Sequence, residues 1–451
     1  MVRTRSTYNL GKGAFLFLRA TLVDGLRIIC YPRQSLKQIY GVSFFRNAVY
    51  LMMNASVNIL TGFVFWILVA RFYTVTEVGY GTTLLSAMAL LAFIGTLGFG
   101  FGIIRYLPAS DDKARLLNYS FTLAALATVV ATAIFFIGLS LWSPKLVFVR
   151  QNPVFLAAFF IFTIASALHS MAQQAFVAFR RTGFALFQGT IFGTLRLVLA
   201  VVLASFFGTF GMLAASGMSM AVSLGVCLLI FLPLILPRYR PLPSFRRQES
   251  NEIITLSLAN YIGEGLWSLP SWILPIMILN ILGAEANAYF YMPWAVASLL
   301  LAISLAISFS LFAEGSHEVR SVSRDLKSGF KLIVLLLVPT AAILTVFGDK
   351  ILLIFGGEYS AAGTQLLRLF TLAAFPVSFN LLYLSVARVE KRLKSLIWVN
   401  GITAVATLVL SYITISNLGI LGIGISWLAA QTGVAFFTTT KLIQKVYHPG
   451  S

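Results

Sequence analysis

Residues 210–236 read FGMLAASGMSMAVSLGVCLLIFLPLIL and contain no charged side chain. A continuous apolar run of this length can cross the hydrocarbon core of a bilayer as a single helix. Similar runs recur along most of the 451-residue chain, and they are continuous instead of alternating with a period of two. Because lipid offers the backbone no hydrogen-bond partner, continuous runs predict helices and exclude a transmembrane barrel. The sequence therefore predicts an all-α polytopic membrane protein.

The composition indicates the same class. Hydrophobic residues make up 59% of the chain and charged residues 10%, whereas a soluble protein carries about 25% charged residues. A net charge of +19 would suggest a nucleic-acid partner in a soluble protein. Here the cations lie between the apolar runs, so membrane topology explains them and we expect no nucleic acid. The two cysteines, Cys30 and Cys227, predict neither a disulfide framework nor a metal site.

About twelve spans are expected, with charge alternating between their loops. The N-terminal arm, the even-numbered loops and the C-terminal tail hold most of the 33 lysine and arginine residues. The odd-numbered loops hold only Arg71, Lys145, Arg150 and Lys350. By the positive-inside rule, we expect a multi-pass protein of the cell (inner or plasma) membrane with both termini in the cytoplasm. The predicted spans are 48–70, 82–104, 117–142, 153–178, 184–206, 210–236, 253–281, 286–312, 328–347, 364–388, 394–415 and 419–441.

Two six-helix lobes are predicted around the longest polar connection. Gly208-Thr-Phe-Gly211 and Gly419-Ile-Leu-Gly422 follow spans 5 and 11 at an offset of 211 residues, and Glu77 and Glu285 follow spans 1 and 7. Similar offsets at both ends of each half favour a duplicated unit, as in many secondary transporters. The predicted organisation is a cytoplasmic interfacial basic arm (1–45), an N-terminal lobe (46–236), a cytoplasmic linker (237–252), a C-terminal lobe (253–441) and a cytoplasmic tail (442–451).

The arm has apolar residues at helical spacing, from Phe15 to Ile29, with Lys12, Arg19 and Arg27 between them. This pattern predicts an interfacial helix on an anionic leaflet, and a disordered basic arm is the alternative.

Motifs around the first two spans resemble those of a known family. They are Asn47-Ala-Val-Tyr50, Val69-Ala-Arg71, Glu77-Val-Gly79, Gly95-Thr-Leu-Gly98-Phe-Gly100 and Ile104-Arg105-Tyr-Leu-Pro108. They resemble the start of the polysaccharide flippase (Wzx-like) family, which shares a superfamily with the multidrug and toxic-compound extruders and the bacterial lipid II flippase. The resemblance implies a MATE-like architecture of two lobes around a central, partly polar cavity. It also implies transport of oligosaccharides carried on polyprenyl pyrophosphate from the cytoplasmic to the outer leaflet.

Few charges lie inside the predicted spans. Arg196 lies near the centre of span 5, three residues after Gly193. An arginine at this depth is costly and is a candidate for binding a pyrophosphate through bidentate hydrogen bonds. The alternative is an arginine held by carbonyl groups or by a glutamate. Gly189 and Gly193 predict the close approach of a neighbouring helix or headgroup.

Glu264 is the acid deepest within a predicted span, and Asn260 lies one turn before it. A buried carboxylate can bind a cation or a proton, so we expect coupling to H+ or Na+ here. A structural partner for Arg196 and a residue that reaches water at the cytoplasmic end are the alternatives. Pro270 and Pro275 are expected to kink or break this helix.

Further polar residues recur at helical spacing. Asn54 and Asn58 lie on one stripe of span 1, and His169 and Gln173 lie one turn apart on span 4. Such residues either pair with a neighbouring helix or line a wet cavity, and a core histidine is the commoner case. As a set they favour substrate binding in a cavity.

Arg46 and Arg105 are at predicted cytoplasmic helix ends, where arginines usually anchor the interface or, in a flippase, first contact the pyrophosphate. The chain has no phosphate-binding glycine loop, no Ser/His/Asp arrangement and no metal-ligand cluster. We therefore expect a transporter without a cofactor instead of an enzyme. The sequence favours an alternating-access flippase of a lipid-linked glycan, with glycosyltransferases or a polymerase of the same pathway as partners. A multidrug-type cation antiporter is the alternative.

Overall fold

The computed structural model describes residues 43–245, 252–317 and 322–447. Within these ranges the chain is helical and has no strand, and twelve helices are long and apolar enough to cross a membrane. The predicted all-α class and span number are confirmed. The proposed interfacial helix lies outside the described residues. The long helices are α1 Ser43–Phe72, α2 Val75–Thr96, α3 Lys113–Ile137, α4 Pro153–Ala178, α5 Thr182–Ala204, α6 Phe206–Ile235, α7 Glu252–Ile281, α8 Ala284–His317, α9 Val322–Leu352, α10 Gly357–Val389, α11 Leu393–Leu418 and α12 Ile420–Tyr447.

The second span differs from its predicted range of 82–104, because α2 covers Val75–Thr96. Thr74 and Glu77 form a capping box that begins the helix: the Glu77 amide donates to Thr74 Oγ1 (3.3 Å), and the Thr74 amide donates to Glu77 Oε2 (2.9 Å). These bonds satisfy amide groups that a helix leaves free at its start. The helix ends at Leu97 and Gly98, both at positive φ, and a separate short helix, Phe99–Tyr106, follows.

The two halves of the chain use related packing. In the first half α1 lies along α5, and in the second half α7 lies along α11. The turns from α5 to α6 and from α11 to α12 also match. Gly208 has φ 47° and ψ −130°, and Gly419 has φ 59° and ψ −142°. This backbone conformation favours glycine at both positions.

Three residues after each turn, a second glycine makes the same close approach. A Cβ atom on Gly211 would lie 2.7 Å from the Leu203 carbonyl oxygen, and one on Gly422 would lie 2.8 Å from that of Thr414. Each pair of equivalent residues is again 211 positions apart. The matched turns support duplication, whereas the predicted domain boundaries remain predictions.

We call the side at which α1 begins the terminal face and the side at which it ends the distal face. The halves are joined at the distal face. Asn287 of α8 is buried and its Nδ2 lies 2.8 Å from the Gly79 carbonyl oxygen of α2 and 2.7 Å from Thr83 Oγ1. Arg71 donates to the carbonyl oxygens of Leu353 (3.1 Å) and Ile354 (2.9 Å). These contacts close the distal side between the halves.

The flanks between the halves differ from each other. Helices α2 and α7 pack closely: Tyr261 stacks on Phe93 at 4.5 Å, and its hydroxyl lies 3.1 Å from the Ile94 carbonyl oxygen. The related pair, α1 and α8, has far fewer contacts, among them the ring pair of Trp66 and Tyr291 near the distal end. Toward the terminal face, α1 instead exposes Met52 and other apolar side chains. The halves are therefore joined by few contacts along α1 and α8.

Candidate binding cleft between the two halves

The candidate site is the central cleft. We define it as the space bounded by α1, α2, α7 and α8 on the terminal side of the distal contacts. Its distal end is closed by the Asn287 contacts, and its α1–α8 flank is the more open one. A cleft with one closed and one open end can admit a ligand from a single side of the membrane.

Arg196 of α5 lies at the edge of this cleft, behind α1. Its guanidinium carbon is 4.2 Å from the centre of the Phe65 ring and 4.8 Å from that of Phe192. Protein surrounds the group on nearly all sides, and Tyr291 of α8 is its main polar neighbour. The absence of a side chain at Gly62 makes room for it, because a Cβ there would lie 3.7 Å from Nη2.

No acid among the described residues forms a salt bridge with Arg196. The salt bridges found among the described residues join Arg115 to Asp112 and Arg392 to Glu390. Cation–π contacts with two rings stabilise the guanidinium without neutralising it. Its Nε is buried and has no hydrogen-bond partner in the described part of the chain. An anion in the cleft would supply the missing charge.

Glu264 does not pair with Arg196. The cation whose field acts on Glu264 is Arg388, at the end of α10. The carboxylate is exposed to solvent, yet protein surrounds it heavily, as expected for a side chain that lines an open cleft. Asn260 is half-buried one turn away. The sequence left a glutamate partner for Arg196 open, and the structure excludes Glu264 from that role.

The helix that carries Glu264 is continuous. Pro270 and Pro275 lie inside α7, which extends from Glu252 to Ile281 without a break. Neighbouring helices bond to carbonyl groups of α7: Asn400 donates to the Gly263 oxygen (2.9 Å), and Thr83 donates to the Pro275 oxygen (3.3 Å). The helix is therefore not broken at these prolines, and a kink there remains a prediction.

The polar stripe of α1 faces the glycines of α5. Asn58 Nδ2 lies 3.1 Å from Asn54 Oδ1, and a Cβ on Gly189 would lie 2.2 Å from that oxygen. A Cβ on Gly193 would lie 2.6 Å from Thr61 Oγ1. Both amide side chains are half-buried. The predicted close approach at the glycines is therefore found, and a substrate role for Asn54 and Asn58 remains a prediction.

The structure does not place His169 and Gln173 beside Arg196 at the surface of the central cleft. His169 is buried between α4 and α5, where its Nδ1 lies 3.1 Å from Nε2 of Gln188. That amide group also donates to the His169 carbonyl oxygen (3.0 Å). Gln173 is half-buried one turn further along α4. This arrangement is a packing contact, so a substrate role for the pair remains a prediction.

Arg46, at the start of α1, and Arg105 both lie near the terminal face, whereas Arg196 lies near the middle of α5. Arg105 is exposed at the end of the short helix Phe99–Tyr106, with its guanidinium 5.7 Å from the Tyr106 ring centre. Arg46 lines a small groove with residues of α5. Both positions match the expected helix ends.

Sequence reasoning missed Phe65, Tyr291 and Arg388 as neighbours of the two central charges. Their helices carry no local signal for these contacts, because each partner is far away in the chain. No group of three or more potential metal ligands occurs in the ranges that the structure covers.

Comparison with known proteins gives the fold a context. Neither a family model nor a curated protein matches the sequence. An inward-facing multidrug resistance MATE transporter of the MOP superfamily has a similar structure, with a TM-score of 0.66, 13% identity and coverage of 89% of this chain and 98% of that one. An outward-facing MATE transporter of the same superfamily has a TM-score of 0.60 and 15% identity over 90% and 95% of the two chains.

A third similar structure is a MOP superfamily transporter from Pyrococcus furiosus Vc1 (DSM3638), described as having a binding pocket of reverse polarity that suggests a different function. Its TM-score is 0.56 at 16% identity, over 90% of this chain and 95% of that one. The Wzx-like resemblance is thus supported only at the level of the superfamily fold. The chain has the fold of MATE transporters of the MOP superfamily.

Proposed function

We propose that this protein is a flippase that moves a polyprenyl-pyrophosphate-linked oligosaccharide from the cytoplasmic to the outer leaflet for surface polysaccharide biosynthesis. It works by alternating access, and its terminal face is cytoplasmic. Glycosyltransferases or a polymerase of the same pathway would supply or use the glycan.

The environment of Arg196 carries the proposal. Its guanidinium contacts two aromatic rings and no carboxylate of the described chain, and its Nε has no acceptor. An arginine inside a span without an acidic partner favours an anion and disfavours a cation. A pyrophosphate offers acceptor oxygens suited to the planar donors of the guanidinium.

The open flank between α1 and α8 supports a lipid-linked substrate. A headgroup can enter the cleft only if its prenyl chain has somewhere apolar to stay. Helix α1, which borders this flank, exposes Met52, Leu60 and other large apolar side chains. A chain in the bilayer would remain in contact with them while the headgroup occupies the cleft.

Release on the distal side requires the distal contacts to break. The buried bonds of Asn287 with α2 must separate when the halves rock apart. Similar structures in both inward-facing and outward-facing conformations make such a motion reasonable for this fold.

Glu264, with Asn260, is the proposed coupling site for H+ or Na+. The membrane potential contributes about 2.3 kcal/mol per charge moved through 100 mV to such a cycle. For Glu264→Gln, we expect flipping to lose its dependence on a pH or sodium gradient. Flipping by this variant that still responds to both gradients as in the wild type would exclude the coupling role.

A multidrug-type cation antiporter is the second candidate, because MATE transporters share the fold. Such a protein would bind its substrate through an acid, and the acid available here, Glu264, lies in the field of a cation, Arg388, although no salt bridge joins these two described residues. The anionic substrate is therefore favoured.

Proteoliposomes containing the wild-type protein test the substrate class. One assay measures how fast a polyprenyl-pyrophosphate-linked oligosaccharide becomes accessible to a membrane-impermeant lectin, and a parallel assay measures ethidium transport. We expect accelerated glycolipid flipping without ethidium transport. Ethidium transport without flipping would support the antiporter and refute the proposal.

A further inference from the structure

The turn between α4 and α5 has an unusual composition. Arg180 occupies the left-handed region with φ 54°, a conformation that favours glycine over arginine. The Arg181 amide donates to the Phe176 oxygen (2.9 Å), and the Arg180 amide donates to the Val177 oxygen (3.0 Å). This pair of bonds is the usual helix ending in which glycine takes the left-handed position. Here two successive arginines hold the turn.

The second half of the chain contains the same turn, between α10 and α11. Lys391 has φ 57°, and the Arg392 amide donates to the Ala387 oxygen (2.8 Å). Each of these residues lies 211 positions after its counterpart. In this second turn, however, Glu390 forms a salt bridge with Arg392, whose guanidinium also lies 5.9 Å from the Tyr383 ring centre.

The first turn has no acid that could offset the charge of its arginines in this way. Phe179 stands at the position that corresponds to Glu390. No acid in the described ranges forms a salt bridge with Arg180 or Arg181. Arg46, at the start of α1, adds a third cation. The two turns therefore share one backbone geometry, but an arginine of the second turn is paired with an acid, whereas the described residues give Arg180 and Arg181 no such partner.

The three arginines line one groove, together with Asn47, Tyr50 and the first residues of α5. The groove has a volume of about 250 Å³. Thr182 joins the two helices beside the groove, because its hydroxyl lies 3.0 Å from both the backbone and the side-chain oxygen of Asn47. The groove lies where two spans begin, which is the level of the lipid headgroups.

We propose that this groove is a binding site for a phosphate group at the membrane surface. Two or more arginines around a small concave site provide several charge-assisted hydrogen bonds to one phosphate. The site is distinct from the central cleft and does not depend on what the cleft transports. The phosphate belongs either to an anionic phospholipid or to a soluble phosphate compound.

Titrations of the purified full-length protein in a neutral detergent test the site. The probes are short-chain phosphatidylglycerol, short-chain phosphatidylcholine and inorganic pyrophosphate, and binding is followed by native mass spectrometry and by the melting temperature. The test variants are Arg180→Gln/Arg181→Gln and, separately, Arg46→Gln. Lys391→Gln/Arg392→Gln is the matched control, because it removes the same charge from the equivalent turn. Size-exclusion profiles and melting temperatures without probe establish that each variant is folded.

We expect phosphatidylglycerol or pyrophosphate to bind the wild type and the control variant equally, and both test variants about tenfold more weakly. Preference for phosphatidylglycerol over phosphatidylcholine identifies a lipid phosphate, whereas binding of pyrophosphate alone identifies a soluble one. Either result supports the site. It is refuted if neither anionic probe binds, if phosphatidylcholine binds as well as phosphatidylglycerol and pyrophosphate does not bind, or if the control variant loses as much affinity as the test variants.

Discussion

Replacing Asn287 by alanine should shift the protein toward a conformation that is open at the distal face. The Asn287 amide group lies 2.7–3.0 Å from three acceptors on α2, but it has only two hydrogens, so at most two bonds form at once. Interhelical hydrogen bonds in membrane proteins contribute about 0.6 kcal/mol on average and up to about 1.7 kcal/mol. The substitution should therefore remove about 1–3 kcal/mol from the closed state alone. This corresponds to a change of roughly 5- to 150-fold in the equilibrium between the two conformations.

Pulsed electron paramagnetic resonance measures this shift directly. Spin labels at Phe72 and Leu353, both exposed near the distal face, report the distance between the halves in a variant without native cysteines. Asn287→Ala should increase the population at long distance. Asn380→Ala is the control, because this buried amide bonds to Gln431 within one half (2.8 Å) and its loss should lower stability without moving the halves.

An unchanged distance distribution in Asn287→Ala, with the protein folded, would refute the role of this contact in distal closure. The same shift in both variants would also refute it, because general destabilisation would then be the cause.

Three further substitutions follow from the packing. Gly79→Ala should open the distal face or prevent folding, since a Cβ would lie 1.8 Å from the Ala284 carbonyl oxygen. Gly102→Ala is the control, because a Cβ there would meet nothing within 4 Å. Equal label distances and melting temperatures in the two variants would contradict this prediction. Thr74→Ala removes the cap of α2 and should cost about 1 kcal/mol, seen as a lower thermal midpoint; an unchanged midpoint would show that the cap contributes little. Gly208→Ala should lower the melting temperature, because φ is 47° there and non-glycine residues rarely adopt it; a stability equal to that of the wild type would argue against this turn.

Much of the fold was predictable because it follows from the solvent. Long apolar runs must become helices in lipid, so the number of spans could be read directly from the sequence. The limits of α2 could not be read from hydropathy, because its first two turns contain Thr76, Glu77 and Gly79, which resemble a loop. The capping box of Thr74 and Glu77 was the available signal for the true start.

The candidate site was predictable one residue at a time. Arg196 and Glu264 stood out because charges inside spans are rare. Their surroundings were not predictable, since Tyr291 and Arg388 reach them from helices far away in the chain. The same limit applied to His169, whose partner Gln188 is on the next helix. Spacing along one helix cannot show which neighbour a side chain meets.

The most direct test of the central claim compares glycolipid flipping by the wild type, Arg196→Ala and Arg368→Ala in proteoliposomes. Arg368 is a suitable control, because it is exposed on α10 and bonds to the Thr345 carbonyl oxygen (3.2 Å) outside the cleft. A charge-assisted hydrogen bond contributes about 1.5–3 kcal/mol, so we expect flipping by Arg196→Ala to be about tenfold to a hundredfold slower while Arg368→Ala stays near the wild-type rate. Flipping by Arg196→Ala at the wild-type rate would contradict the proposal that this arginine binds the pyrophosphate.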